Sequence, residues 1–382
     1  MQSDGTRQLG NHRQETSWKP VDTGQPYPFF TSIHSYDSHT CATTDQRTLW
    51  CWGGSFDGQL GNQDTEWNFS PVRSTALRHD VRAVSSGQSH TCALDTAGGV
   101  HCWGNNDSGQ LGNGSTQASM TAVEVTGLGA GIAAVSAGRM HTCAVTDAGG
   151  VYCWGHNSLG QLGDGSTTTR LTPVAVSGLS SGVMAIAAGG NHTCALTLEG
   201  HIRCWGYNAA GQLGDGSYVQ RSTQVAVTGL NQTVAAISAS FSHTCALTTS
   251  GGVWCWGTNH MGQLGDGTTT ESSRPVPVVG LGSGVRAIAT GHLHTCALTN
   301  EGIVQCWGYS PDGQLGDVTS ADRKRSASAI QIGANVTTIT AGSEHSCALT
   351  DQGIVKCWGD SFYGQIGDGH SGIRPWASDA LR

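Results

Sequence analysis

Short apolar runs recur along this chain at even intervals, each bounded by Gly or a small polar cluster. One of them, Ile132-Ala133-Ala134-Val135-Ser136-Ala137, ends at Gly138. A run this short, closed by Gly, predicts a buried strand. After the tight connection Arg139-Met140, His141 to Thr146 predicts a second strand. Asp147-Ala148-Gly149 puts Gly where a hairpin wants a left-handed residue. Gly150 to Trp154 is the third strand, and a glycine-punctuated loop runs from Gly155 to Gly165. Pro173-Val174-Ala175-Val176 predicts a fourth strand, with Pro at its start as suits an edge.

The whole pattern returns every 51 residues, seven times and without insertion. Its first Cys falls at Cys41, Cys92, Cys143, Cys194, Cys245, Cys296 and Cys347. Its second falls ten residues later, at Cys51, Cys102, Cys153, Cys204, Cys255, Cys306 and Cys357. A fixed period of this length marks a repeat architecture, whose units bury their apolar faces against one another. Seven four-stranded units predict an all-β, seven-bladed β-propeller. They nearly exhaust the 382 residues, so residues 1–382 are read as one domain. Arg7-Gln8-Leu9-Gly10-Asn11 lies 51 residues before Gly58-Gln59-Leu60-Gly61-Asn62, and Lys19-Pro20-Val21-Asp22 matches the fourth-strand position. Residues 1–24 are therefore expected to pair with the C-terminal strands and complete the seventh blade, because an open ring would leave an unpaired sheet edge. Arg374-Pro375-Trp376 competes for that slot.

Within each unit the two cysteines flank a hairpin and oppose one another. Opposed residues have Cα atoms roughly 4.5–5.5 Å apart, a span that a disulfide bridges. Seven bridges would imply an oxidising compartment, hence a secreted or extracytoplasmic protein. Two other readings stay open: small core cysteines in a reduced protein, or a His-x-Cys plus Cys metal site per blade. The latter spacing matches no tetrahedral zinc pattern. Disulfides are preferred because the pairing is complete in every unit.

Charge narrows the partners. The net charge is −8, and the one basic block is the short Arg323-Lys324-Arg325. Nucleic acid is thereby disfavoured, since phosphate binding needs a basic face. No apolar run is long enough for a membrane-spanning helix. Met1 to Gly10 is polar and does not read as a signal peptide; either one was removed or the chain had none. No Gly-x-Ser-x-Gly, His-Glu-x-x-His or phosphate-loop pattern occurs. Catalysis is therefore disfavoured, no cofactor or metal is expected, and the chain is expected to be a monomer.

Gly189-Gly190-Asn191-His192-Thr193, then Trp205-Gly206, then Gly211-Gln212-Leu213-Gly214, with counterparts in the other copies, resembles the repeat of the regulator of chromosome condensation family. The resemblance covers nearly the whole chain and implies a seven-bladed propeller. It does not pick a function, because its members range from a nuclear nucleotide-exchange factor to a plant photoreceptor and bacterial β-lactamase inhibitors. The exchange factor carries an inserted β-wedge, which the uniform spacing here leaves no room for. The photoreceptor uses Trp in its Gly-x-x-His turns, and none of the corresponding turns here contains Trp. The paired cysteines bring this chain nearer the extracytoplasmic bacterial members.

Comparing the copies separates frame from site. His39, His90, His141, His192, His243, His294 and His345 occur in every unit and read as structural, each bonding the backbone near its own turn. Trp52 and its counterparts read as packing between blades. The recurring Asp164, Asp215, Asp266, Asp317 and Asp368 offer one carboxylate per loop, too few for calcium, and read as turn residues.

The varied tips of the first-to-second and third-to-fourth connections share one face, because strands alternate in direction. They include Tyr36, Arg139, Met140, Tyr207, Phe241, His260, Met261, His292, Tyr309, Glu344, Phe362 and Tyr363. Phe56-Asp57 and Pro311-Asp312 fall at equivalent tips. Aromatic and Met side chains on a rigid surface are the composition of a protein-binding patch. The reading is a module that binds another macromolecule through this loop face, with enzyme inhibition as one form. The alternative is an enzyme or small-ligand binder at the channel mouth, which polar residues such as Glu344 with Arg139 or His292 would support by converging there.

Overall fold

The computed structural model describes residues 28–77, 80–317, 321–328, 332 and 335–380. Seven four-stranded antiparallel sheets follow one another along the chain, each with its strands in sequence order. They span Phe30–Arg73, Val81–Glu124, Ile132–Ala175, Val183–Ala226, Val234–Pro277, Val285–Ser328 and Val336–Asp379, here called blades one to seven. The first strands line a central channel of about 210 Å³, bordered by His34, Ser136, Ala188, Ser238 and Thr340 among others. In blade three the strands are Ile132–Ala137, His141–Thr146, Val151–Gly155 and Arg170–Ala175. The last begins three residues before the expected Pro173, because Arg170 pairs with Gly155 across an irregularity in the ladder.

Each second and third strand is buried, and the fourth strands of blades one to five and seven are half-exposed at the rim. The apolar core lies between blades. Cys143, Val145, Val151, Cys153 and Leu162 of blade three pack with Val183, Ala195 and Trp205 of blade four. All seven intrablade bridges form, from Cys41–Cys51 to Cys347–Cys357, each with Cα atoms 4.1 Å apart. The register places each pair directly opposite, as Cys143 faces Cys153.

Closure corrects one expectation. The fourth strand of blade seven is Arg374–Asp379, paired to Val355–Gly359, so the C-terminal competitor holds the slot expected for the N-terminal segment. Residues 1–24 lie outside the described residues. Blade seven is thus built from contiguous chain. The ring closes by packing of blade one on blade seven, with the Ser35 amide donating to Thr340 Oγ1 at 2.8 Å. Among the described residues, no helix is long and apolar enough to cross a membrane.

Candidate functional site

The frame beneath the loop face is built once and copied seven times. His141 Nε2 lies 2.9 Å from Thr193 Oγ1 in the next blade. Thr193 Oγ1 donates to the Gln161 carbonyl at 2.9 Å, and Trp205 Nε1 donates to the same carbonyl at 2.8 Å. The threonine proton is committed to the carbonyl, so its oxygen accepts from Nε2–H, and burial keeps the ring neutral. The same link joins every adjacent pair of blades, and His345 Nε2 to Thr40 Oγ1 at 2.8 Å closes the circle. The histidines are structural, but their partner is the next blade's hydroxyl and not the backbone of their own turn.

The price of this neutral tautomer is a buried Nδ1 lone pair without a partner in His39, His90, His141, His192, His294 and His345. In blade five the Ser240 hydroxyl supplies that partner, 2.8 Å from His243 Nδ1. Burial depresses the seven imidazoles, to about 3 for six of them and about 4 for His192.

Two glycines show how tightly the tips are seated. Gly155 has φ 100°, and a Cβ there would lie 2.6 Å from the Met140 carbonyl oxygen. Gly163 has φ 70°, and its missing Cβ leaves room for Trp205 Nε1 of the next blade at 2.8 Å. Asn157 ties the loop together: its Oδ1 accepts the Leu162 amide at 3.0 Å, and its Nδ2 donates to the Thr168 carbonyl at 3.0 Å. Blades two to five carry this Asn, whereas blades six, seven and one carry Ser310, Ser361 and Ser55.

On this common frame the tips differ. Two residues before each framework histidine stand Asp37, Gln88, Arg139, Gly190, Phe241, His292 and Ser343, no two alike. All but Gly190 border a cavity of about 50 Å³ at the channel mouth, which Tyr36 also lines. Phe241 and His292 have ring centroids 4.3 Å apart, and the Arg139 guanidinium lies 5.2 Å from the Phe241 centroid. Arg139 Nε donates to Gln88 Oε1 at 3.1 Å. Ser343 Oγ donates to Asp37 Oδ1 at 2.5 Å. Burial raises the Asp37 carboxyl, against the pull of the Ser343 hydroxyl, His292 and Arg139. Tyr36 has a buried hydroxyl without a partner, and burial raises its phenol.

The outer loops gather into a second group. Phe56 and Trp67 of blade one meet Phe362 and Tyr363 of blade seven. Centroids are 4.8 Å apart for Trp67–Tyr363, 5.3 Å for Phe56–Tyr363 and 5.9 Å for Trp67–Phe362. Phe56 is 52% and Phe362 58% exposed. Asp360 shares the loop of Phe362 and Tyr363, and it acts on Asp312 and Glu344. Burial raises each carboxyl; Asp360 raises Asp312 further, and Asp312, Asp360 and Asp37 do the same to Glu344. Burial also raises the Tyr309 phenol, with Asp312 next.

The tip residues named from sequence therefore separate. Tyr36, Arg139, Phe241 and His292 meet at the channel mouth, whereas Glu344 sides with the acidic group. Tyr309 joins that group too, and Phe362 and Tyr363 join the aromatic one. Met140, Tyr207, His260 and Met261 belong to neither group, His260 being exposed and the other three half-buried. Trp67 and Asp360 escaped sequence reasoning. A signal for Trp67 existed: the other copies place Ala118, Thr169, Gln220, Glu271, Asp322 and Ile373 at its position.

A buried repeating frame under seven unlike tips defines a disulfide-stapled propeller with a variable loop face. The chain belongs to the regulator of chromosome condensation (RCC1) repeat family. It matches the RCC1-like domain over residues 3–236 and the RCC1 repeat over 234–263, 285–314 and 336–365. It is 32% identical over 344 residues to the ultraviolet-B receptor UVR8 of Arabidopsis thaliana, covering 87% of this chain and 78% of the receptor. It is 35% identical over 321 residues to the human E3 ubiquitin-protein ligase HERC2, covering 80% of this chain but only 7% of the ligase. The solved structure of Prp20p from Saccharomyces cerevisiae, described with its binding to Gsp1p and histones, superposes with a TM-score of 0.78 at 22% identity, covering 89% of this chain and 87% of that one. That likeness concerns the fold. These relatives are eukaryotic and lend no weight to the bacterial placement suggested by the paired cysteines.

Proposed function

We propose that this protein is an extracytoplasmic binding module that recognises another protein through its loop face, inhibition of an extracellular enzyme being one form. One observation carries the reading: equivalent tips differ in every blade while the frame below them repeats. A residue needed for the blade recurs, and a residue free to serve a partner does not. Rigid loops on a stapled scaffold also lower the ordering cost of binding. The extracytoplasmic part rests on the disulfides, since no free cysteine occurs among the described residues. Polar groups do converge at the channel mouth, but its cavity of about 50 Å³ falls far below the roughly 300–1,000 Å³ of small-molecule sites.

The test is capture from the native extracellular medium by the immobilised, oxidised propeller, repeated with Tyr207, Phe241, Tyr309 and Tyr363 replaced by Ala. A partner held by the native chain and lost by the variant, with both melting alike, is the expected result. Equal capture by both would move the site to the opposite face.

A further inference from the structure

The loop face is not uniform around the ring. The segments 54–67 of blade one and 359–367 of blade seven contain Asp57, Asp64, Glu66 and Asp360 and no Lys or Arg. These segments bring together the four aromatic rings, of which Phe56 and Phe362 are more than half exposed. Contiguous exposed rings mark an interaction surface, where singly scattered ones do not. We infer that the patch formed by Phe56, Trp67, Phe362 and Tyr363 docks a segment of a partner protein that carries Lys or Arg. The inference rests on the reading of the loop face as a protein-binding surface and adds the partner's chemistry.

Charge complementarity selects this occupant. Asp360 lies two residues from Phe362 and holds its amide at 3.0 Å, so carboxylate and rings share one loop. Asp360 acts on Asp312, and both act on Glu344, so among the described residues these carboxyls form one acidic group. Two nearby arginines are already paired, Arg323 with Asp317 at 2.9 Å and Arg374 with Asp368 at 2.7 Å. A cationic side chain answers both features at once. Its head relieves the repulsion among the carboxylates, and its stem or guanidinium packs on aromatic rings. An acidic partner would worsen the repulsion, and a purely apolar one would bury carboxylates without compensation. A second copy would bring a face of the same sign against this one, in a chain of net charge −8.

Calorimetric titration of the oxidised full chain with a short peptide alternating lysine and leucine, and with its glutamate-for-lysine counterpart, tests the inference. The lysine peptide should bind and the glutamate peptide should not. Trp67→Ala or Phe362→Ala should each weaken binding about thirtyfold, as for central aromatic anchors. Asp360→Asn should weaken it several-fold and flatten its salt dependence. Leu198→Ala, an exposed turn residue on the opposite face, should leave it unchanged. No binding of the lysine peptide, equal binding of both peptides, or binding indifferent to the patch substitutions would overturn the inference. A dimer seen in sedimentation that Phe362→Ala dissolves would give the patch to a second copy and overturn it too. If Trp67→Ala/Phe362→Ala retains the captured partner while Tyr207→Ala/Phe241→Ala loses it, this inference fails and the loop-face reading stands.

Discussion

Only one residue separates Gln88 from His90, yet the two answer to different constraints. His90 is fully buried, holds Thr142 of the next blade at 2.9 Å, and has a counterpart in every blade. Gln88 ends at the channel mouth beside Arg139, and no other blade has Gln there. The same division separates Trp358 in the frame from Phe362 at the tip. Fully buried Trp358 donates to the Gln314 carbonyl, whereas Phe362 is 58% exposed. What is fully buried between blades repeats, because the framework contact is copied at all seven interfaces. What ends in solvent above it varies, because the scaffold asks nothing of it.

This division can be broken most severely by removing the staples. Each bridge closes a loop of about ten residues and contributes about 2–3 kcal/mol in the chain-entropy model. Seven together match or exceed the about 5–15 kcal/mol that holds a typical domain. A chain unfolded in denaturant with reductant and then diluted with its thiols reduced should stay unfolded by circular dichroism. A native spectrum with fourteen titratable thiols would show that the frame stands without its disulfides.

Acid should come next. The framework histidines titrate at about 3 to 4 when folded, against an ordinary 6.5. Between those values the unfolded chain binds more protons than the folded one. Stability is therefore full above about pH 6.5 and is lost as pH falls toward 3. Because the sites are copies, the loss should be steep, and urea midpoints at pH 7 and pH 4.5 should differ widely. His141→Gln should lower the midpoint at pH 7 and make the acid loss shallower. A midpoint indifferent to pH would mean that the buried Nδ1 atoms find partners.

Smaller changes sharpen the line between the layers. Gly189→Ala places a Cβ 2.3 Å from the Ser240 carbonyl oxygen and 2.6 Å from His192 Cε1, and should cost about 1–3 kcal/mol in thermal or urea unfolding. Ser240→Gly removes the hydroxyl that satisfies His243 Nδ1 and should cost about 1 kcal/mol, making blade five like its neighbours. The exposed tip variant His260→Ala should stay within about 0.5 kcal/mol of the native chain. A loss at His260 as large as that at Gly189 would erase the distinction between frame and tip.

Much of the fold was legible in the chain because it is local. The hairpin between Cys143 and Cys153 is set by a Gly turn five residues from each strand's middle, so the pairing needs no knowledge of the ring. The candidate site was legible only in part. That Phe362 and Tyr363 sit at varied tips follows from the period. That they meet Phe56 and Trp67 does not, since these come from opposite ends of the chain. Convergence of Glu344 with Arg139 or His292 would have supported the channel-mouth alternative, but Glu344, one residue beyond the mouth-lining Ser343, does not line that cavity and is acted on by Asp312 and Asp360.

By itself, the sequence determined the blade: its four strands, its cross-strand cystine and its burial, because these depend on residues within one period. Tertiary structure decided everything that passes from blade to blade. It gave each histidine the hydroxyl of the following blade in place of its own backbone, since a buried ring takes the acceptor that packing delivers to it. It also gave the closing position to Arg374–Asp379, which the chain reaches directly from Val355–Gly359 of the same blade. Closing the circle, finally, set the last loops beside the first and made an aromatic patch with an acidic edge out of segments that no local pattern connects.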